Sequence, residues 1–198
     1  MKVTGILLAA GAATRMGRNK LLISLEGETL LRRAARRALG AGLDPVVVVL
    51  GHEAGRARRE LDGLACRAVV NPRHVRGLDT SLAAGVGAVP PEAEAAVVLL
   101  ADMPLVDEAM IRAVVDRHAA TGAPLVTARY GEVSAPPTLY ARRLFQEIQG
   151  GEGEGRGREV VRRHRGEAAF VDFPPAALAD LDLPEDLARA RGAGGGSA

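Results

Sequence analysis

The sequence predicts an α/β fold built on a mixed, mainly parallel sheet, and three observations predict it. Short apolar runs recur at residues 3–9, 45–50, 66–70 and 95–101. Segments with helical spacing of apolar residues lie between or after them, at 30–39, 56–61 and 109–120. Finally, Val46-Val47-Val48-Val49-Leu50 and Val97-Val98-Leu99-Leu100 carry no polar position at all. A strand with one wet face alternates, so these two are expected in the sheet centre with helices on both sides. Strand and helix in alternation form βαβ units, in which the crossover helix returns the chain to the same edge of the sheet.

Taken in order, the run 3–9 is the first strand and opens into small residues. The segment 30–39 sets leucine and alanine against arginine, an amphipathic helix whose Arg32, Arg33, Arg36 and Arg37 read as a solvated face. The run 45–50 is the second strand, 56–61 a short helix, 66–70 the third strand, 95–101 the fourth and 109–120 the next helix. After Pro124 the pattern loosens into a short run at 125–128, a proline-bearing stretch at 134–140, a helix near 142–149 and a glycine-rich loop at 150–157. That region predicts either mixed topology or an inserted subregion facing a substrate. Residues 192–198 are small and polar and bury nothing, so one domain over 1–191 with a disordered tail is expected.

Composition narrows the function. A chain of 198 residues with 47% hydrophobic content builds one sizeable core. The net charge is only +2, aromatic residues make up 3%, and no basic run is interleaved with stacking side chains, which argues against nucleic acid as the main substrate. The single Cys66 forms neither an intramolecular disulfide nor a CxxC knuckle. His52, His74, His118 and His164 show no mutual metal spacing and are read as structural. The apolar run at 6–10 is too short to span a membrane and is followed by glycine and arginine rather than a cleavage site, so a cytoplasmic protein is expected.

The chemistry is expected in the loop at 9–20. Leu8, Ala9, Ala10 and Gly11 lead into small residues that let backbone N–H groups approach an anion closely, and Arg15 and Lys20 add charge suited to a triphosphate. The spacing is neither that of a Walker A loop nor that of a GxGxxG dinucleotide fingerprint. Asp102 ends the fourth apolar run and is followed at once by Met103-Pro104. At the carboxyl edge of an open α/β sheet it would face the same crevice as the first loop, where a carboxylate suits Mg²⁺; a helix N-cap is the alternative.

With these residues the chain resembles the MobA/MocA group of nucleotidyltransferases, whose first strand is followed by LAAG or LAGG, a few small residues, RMG and a lysine. The resemblance implies a three-layer, Rossmann-like (GT-A-type) fold, and it assigns Arg15 and Lys20 to the triphosphate. Asn71-Pro72, Gly77 and Ser81 are similar to the family's nucleoside-contacting element, although Thr80 and Ser81 also suit helix capping. Leu100, Asp102 and Pro104 match its LxDxP element, which implies a metal role for Asp102. The stretch 180–187 is similar to the family's DxDTPEDL, making Asp182 a candidate second metal ligand, with a helix-entry carboxylate as the alternative.

The match departs from the family at Ala135-Pro136-Pro137, where a GHP-like triplet is usual, and at 153–158, where Arg156 and Arg158 are the candidates for gripping an acceptor phosphate. The alternative for these two is a solvated basic loop. The implied reaction moves CMP from CTP to the phosphate of molybdopterin with Mg²⁺ and release of pyrophosphate, Ala10 suiting a cytidylyl rather than a guanylyl enzyme. Another phosphorylated acceptor, such as a sugar phosphate, or a non-catalytic nucleotide-binding partner of a molybdoenzyme, are the alternatives.

Overall fold

The computed structural model describes residues 1–11, 19–150 and 156–178. The chain runs β1 (Val3–Ala9), β2 (Ser24–Leu25), β3 (Glu28–Thr29), α1 (Leu30–Gly40), β4 (Val46–Leu50), α2 (Ala54–Arg59), β5 (Cys66–Val70), α3 (Leu78–Gly87), β6 (Ala95–Leu100), α4 (Glu108–Thr121), β7 (Leu125–Tyr130), β8 (Val133–Ala141), α5 (Phe145–Gln149), α6 (Arg156–Arg163) and β9 (Ala168–Phe173). Seven strands form one sheet in the order β5-β4-β1-β6-β8-β7-β9. β8 runs antiparallel to both its neighbours, while the remaining pairings are parallel.

The uniformly apolar strands still alternate in space. Leu7, Val48 and Val97 pack with α1 and α4 residues such as Leu31, Ala35, Ile111 and Val114. Ile6, Val47 and Val98 pack on the other face with Leu82 and Val86 of α3 and Phe145 and Ile148 of α5. Helices on both faces of one sheet make three layers, and each fully buried aliphatic side chain contributes roughly 1.5–3 kcal/mol by leaving water. No helix among the described residues is long and apolar enough to cross a membrane.

One expectation is corrected, and one pair of alternatives is decided in favour of mixed topology. The arginines of α1 do not form a solvated face: Arg32 Nη1 donates to the carbonyls of Glu60 and Asp62, Arg33 reaches the Leu25 carbonyl, Arg36 pairs with Glu28, and Arg37 donates to the carbonyls of Pro104 and Val106. The guanidinium, with five donors on a long stem, gathers carbonyls that loops leave unpaired. The loose region after Pro124 is the mixed part of the sheet itself, with β8 in its interior. α6 and β9 follow there, beyond the helix at 142–149, which forms as a 3-10 turn, Arg142–Leu144, leading into α5. The expected tail at 192–198 lies outside the described residues.

Candidate active site

The carboxyl ends of β1, β4, β5 and β6 meet along one edge of the sheet, and a crevice of about 200 Å³ opens there. Its wall is built by Leu8, Ala9, Ala10 and Gly11, which complete β1 and leave it, by Lys20 and Asp102, and by His74, Gly77, Leu78 and Ser81.

Lys20 opens the 3-10 turn Lys20–Leu22, capped by Asn19, whose Oδ1 accepts the Leu21 N–H at 3.2 Å. Asn19 is 4% exposed, and its Nδ2 donates to the His52 carbonyl at 3.5 Å, which ties the turn to the residues following β4. Lys20 therefore emerges at a fixed point. Its Nζ stands 2.7 Å from Asp102 Oδ2, with the two side chains 16% and 24% exposed.

Asp102 is placed from two sides. The Ala101 N–H donates to the Leu8 carbonyl at 3.2 Å, extending the β1–β6 ladder up to the turn. Behind it, the Arg37 guanidinium holds the carbonyls of Pro104 and Val106, the latter at 2.8 Å. Burial, together with Arg33 and Arg36 nearby, lowers the Arg37 pKa, yet an arginine stays cationic, so the loop after Asp102 is clamped by a permanent charge. The N-cap alternative for Asp102 does not hold, because Asp107 caps α4 and accepts the Met110 N–H at 2.8 Å.

Ser81 and Gly77 line the crevice, whereas Asn71 stands behind it, 2% exposed. Its Nδ2 donates to Thr80 Oγ1 at 2.8 Å and Ser81 Oγ at 3.0 Å, and its Oδ1 accepts the Arg73 N–H at 2.9 Å. Asn71 thus joins the end of β5 to the first turn of α3 and orients Ser81 from behind. Neither Thr80 nor Ser81 caps α3; its N-cap is Gly77, whose φ of 106° and ψ of 170° suit glycine.

His74, read from the sequence as structural, lines the crevice. The residue beneath it is Gly51, where a Cβ would lie 2.6 Å from the Ala10 carbonyl oxygen and 2.6 Å from the His74 ring. The signal available was position, since His74 lies three residues past Asn71 in the loop that leads to Gly77. Pro136 and Pro137 line a small pocket beside the Asp102 turn, together with Leu99, Leu100 and Met103.

Arg158 is exposed on α6, and Arg156 opens that helix. Arg15 and Asp182 lie outside the described residues. Cys66 begins β5 half-buried, and burial pushes its thiol pKa up, away from reactive thiolate.

Asp102 is a crevice residue that offers a donor to a divalent cation. Its carboxylate is a hard oxygen donor that already holds one cation, the Lys20 ammonium, at the crevice wall. Among the described residues no group of three or more His, Cys, Asp or Glu side chains is gathered to hold a metal ion. Asp102 fits a metal of the kind that takes few protein ligands and draws the rest of its shell from phosphate oxygens and water.

Residues 5–168 match the family model described as MobA-like NTP transferase domain. A curated relative from Rhodobacter capsulatus, named molybdenum cofactor guanylyltransferase, is 32% identical over 96% of this chain and 95% of its own length. The structure of Rv0371c from Mycobacterium tuberculosis H37Rv superposes with a TM-score of 0.85 at 27% identity, covering 97% of this chain and 98% of that one. A manganese complex of Rv0371c gives a TM-score of 0.77 at 26% identity over 97% and 99% of the two chains.

Proposed function

Because the chain belongs to the MobA-like NTP transferase family, a family of nucleotidyltransferases, we propose that it transfers the nucleoside monophosphate of CTP to the phosphate of molybdopterin, with Mg²⁺ as its metal and pyrophosphate as the leaving group. The observation that carries this reading is the Lys20–Asp102 pair at 2.7 Å on the wall of a crevice at the carboxyl edge of the sheet. An oxygen of the acceptor phosphate forms a bond to the α-phosphorus, and the bond from that phosphorus to its bridging oxygen breaks toward pyrophosphate. The acceptor is already anionic, so no side chain has to remove a proton. Lys20, joined by Arg15, meets the charge that gathers on the transferring and departing phosphates. Asp102 is the carboxylate that would hold Mg²⁺, and Asp182 the second candidate; when bound, the ion neutralises phosphate charge. Leu8, Ala9, Ala10 and Gly11 offer backbone and mostly small side chains to the nucleotide, and Gly77 and Ser81 line the same crevice. Arg156 and Arg158 are the proposed grip on the acceptor.

Ala10, 5% exposed at the crevice wall, supports the pyrimidine reading, because its methyl narrows the space available to a base. GTP is the second reading, favoured by the guanylyltransferase name of the Rhodobacter relative. The resulting dinucleotide cofactor would pass to a molybdoenzyme in the cytoplasm. Pyrophosphate release measured with each of the four NTPs, against molybdopterin and a panel of sugar phosphates, tests the whole reading. CTP with molybdopterin is expected to turn over fastest. Faster turnover with GTP replaces the base, faster turnover with a sugar phosphate replaces the acceptor, and no release with any pair leaves a non-catalytic nucleotide-binding protein.

A further inference from the structure

Asp79 is the second residue of α3, and the residues around it, Gly77, Leu78 and Ser81, line the nucleotide crevice. Its Oδ1 accepts the backbone N–H of Gly157 at 3.0 Å, across 78 residues of chain. Gly157 is the second residue of α6 and stands between Arg156 and Arg158. The contact between the helices is close, since a Cβ at Gly157 would lie 3.0 Å from Leu82 Cδ2 and 3.8 Å from Asp79 Oδ1.

The far end of α6 is held separately. Val160 is 2% exposed in the core cluster shared with α3 and α5, Arg163 pairs with Glu147 at 2.7 Å, and His164 reaches Glu147 at 2.9 Å. The bond from Asp79 therefore fixes the end of the helix that carries the two arginines.

A carboxylate at this place works against the crevice it borders, because it repels the phosphates that Lys20 attracts. Two features offset that charge: Asp79 lies in the first turn of α3, and it accepts from the first turn of α6, so the positive ends of both helices face it. Tyr140, 5% exposed, is a neighbouring titratable group; burial and then the Asp79 charge push its pKa up, so its hydroxyl keeps its proton.

We propose that Asp79 is the positioning residue that holds α6, and with it Arg156 and Arg158, at the rim of the nucleotide crevice, and so sets the affinity for the phosphorylated acceptor. This rests on the reading of the chain as a nucleotidyltransferase whose acceptor is gripped from α6.

Three variants of the full chain test it: Asp79→Ala, Asp79→Asn and Gly157→Ala. Amide hydrogen exchange over 156–163 is followed without ligand, and KM and kcat are measured for CTP and for molybdopterin, or for whichever panel pair turns over. Removing a charged hydrogen-bond acceptor at a half-buried site changes local opening by roughly tenfold or more. Asp79→Ala is expected to speed exchange at the start of α6 by about that factor and to raise the acceptor KM about as much, with the nucleotide KM within about twofold. Asp79→Asn keeps an oxygen acceptor and is expected to restore both. Gly157→Ala keeps the N–H that Asp79 accepts but presses on Leu82 Cδ2 where the two helices meet, and should move both readouts in the same direction by less. Unchanged exchange and unchanged acceptor KM in Asp79→Ala overturn the proposal, as does a parallel rise in both KM values. If Asp79→Ala fails to fold, Asp79→Asn and Gly157→Ala decide. If the wild type releases no pyrophosphate from any NTP, the enzymatic reading fails; unchanged exchange then still overturns the tether.

Discussion

Charge is used differently in the two wings of the sheet. Around the loops that follow β1, β5 and β6, polar side chains hold backbone: Asn19 and Asn71 are 4% and 2% exposed and each accepts a backbone N–H, and Arg37 gathers two carbonyls behind Asp102. In β8-β7-β9 with α5 and α6, ion pairs lie on the surface, as in Arg129–Asp172, 44% and 67% exposed, and Arg143–Glu167, 58% and 53% exposed. Buried hydrogen bonds are costly to break and fix geometry, whereas exposed pairs contribute about 0–1 kcal/mol and tolerate change. The nucleotide wing is built for one geometry. The surface pairs of the other wing can change while its strands stay paired.

The largest expected effect falls on the crevice. Lys20→Ala should lower kcat by roughly 10²–10³, the loss typical when one preorganised charge-stabilising group is removed, with a smaller change in nucleotide KM. Steady-state kinetics at saturating Mg²⁺ check this, and a rise in KM alone would reduce Lys20 to uniform binding. Asn71→Ala comes next, because it leaves the Arg73 N–H and the Ser81 hydroxyl without their buried partner. About 1–3 kcal/mol of stability should be lost in urea unfolding, together with a raised nucleotide KM through Ser81. Wild-type stability would place Asn71 with the tolerant wing.

A smaller effect separates the wings by pH. Hydrogen bonds first to Glu147 and then to Glu167 raise the His164 pKa in the folded chain above its ordinary 6.5. A raised histidine pKa contributes stability that is full below the unfolded pKa and is lost as pH rises through the folded one. Urea midpoints should therefore decline as pH climbs above about 6.5, and His164→Gln should flatten that part of the curve. A slope unchanged by the substitution would assign the dependence to another group. The smallest change is expected for Arg129→Ala, whose urea midpoint should stay close to that of the wild type because its pair with Asp172 is solvent-screened. A loss as large as that of Asn71→Ala would show that the tolerant wing is held as tightly as the other.

The central strands were legible in the sequence because uninterrupted valine and leucine at 46–50 and 97–100 fit few other places in a fold. Asp102 was legible through its position at a strand end and Lys20 through the small-residue loop that leads to it, and the structure brings the two into contact. β9 was not, because Ala168–Phe173 is a sheet edge whose residues are only partly buried, and its apolar signal is short. α6 was hidden by its glycine and arginine content, which reads as loop until Val160 is seen in the core. The supporting role of Asn71 and the carbonyl clamp of Arg37 depend on partners that sequence spacing does not reveal, since Arg37 and Val106 are 69 residues apart.

The strand order also governs how the chain reaches this state. β1, at the centre of the nucleotide wing, has no partner nearby in sequence: it pairs with β4 from residue 46 and with β6 from residue 95. Two long loops must close before the central ladder gains anything, which places refolding among the slower α/β domains rather than among helical bundles. The ladder that orients Asp102 through Leu8 is therefore absent from any locally folded species, and nucleotide binding should return only with the last kinetic phase that completes β1.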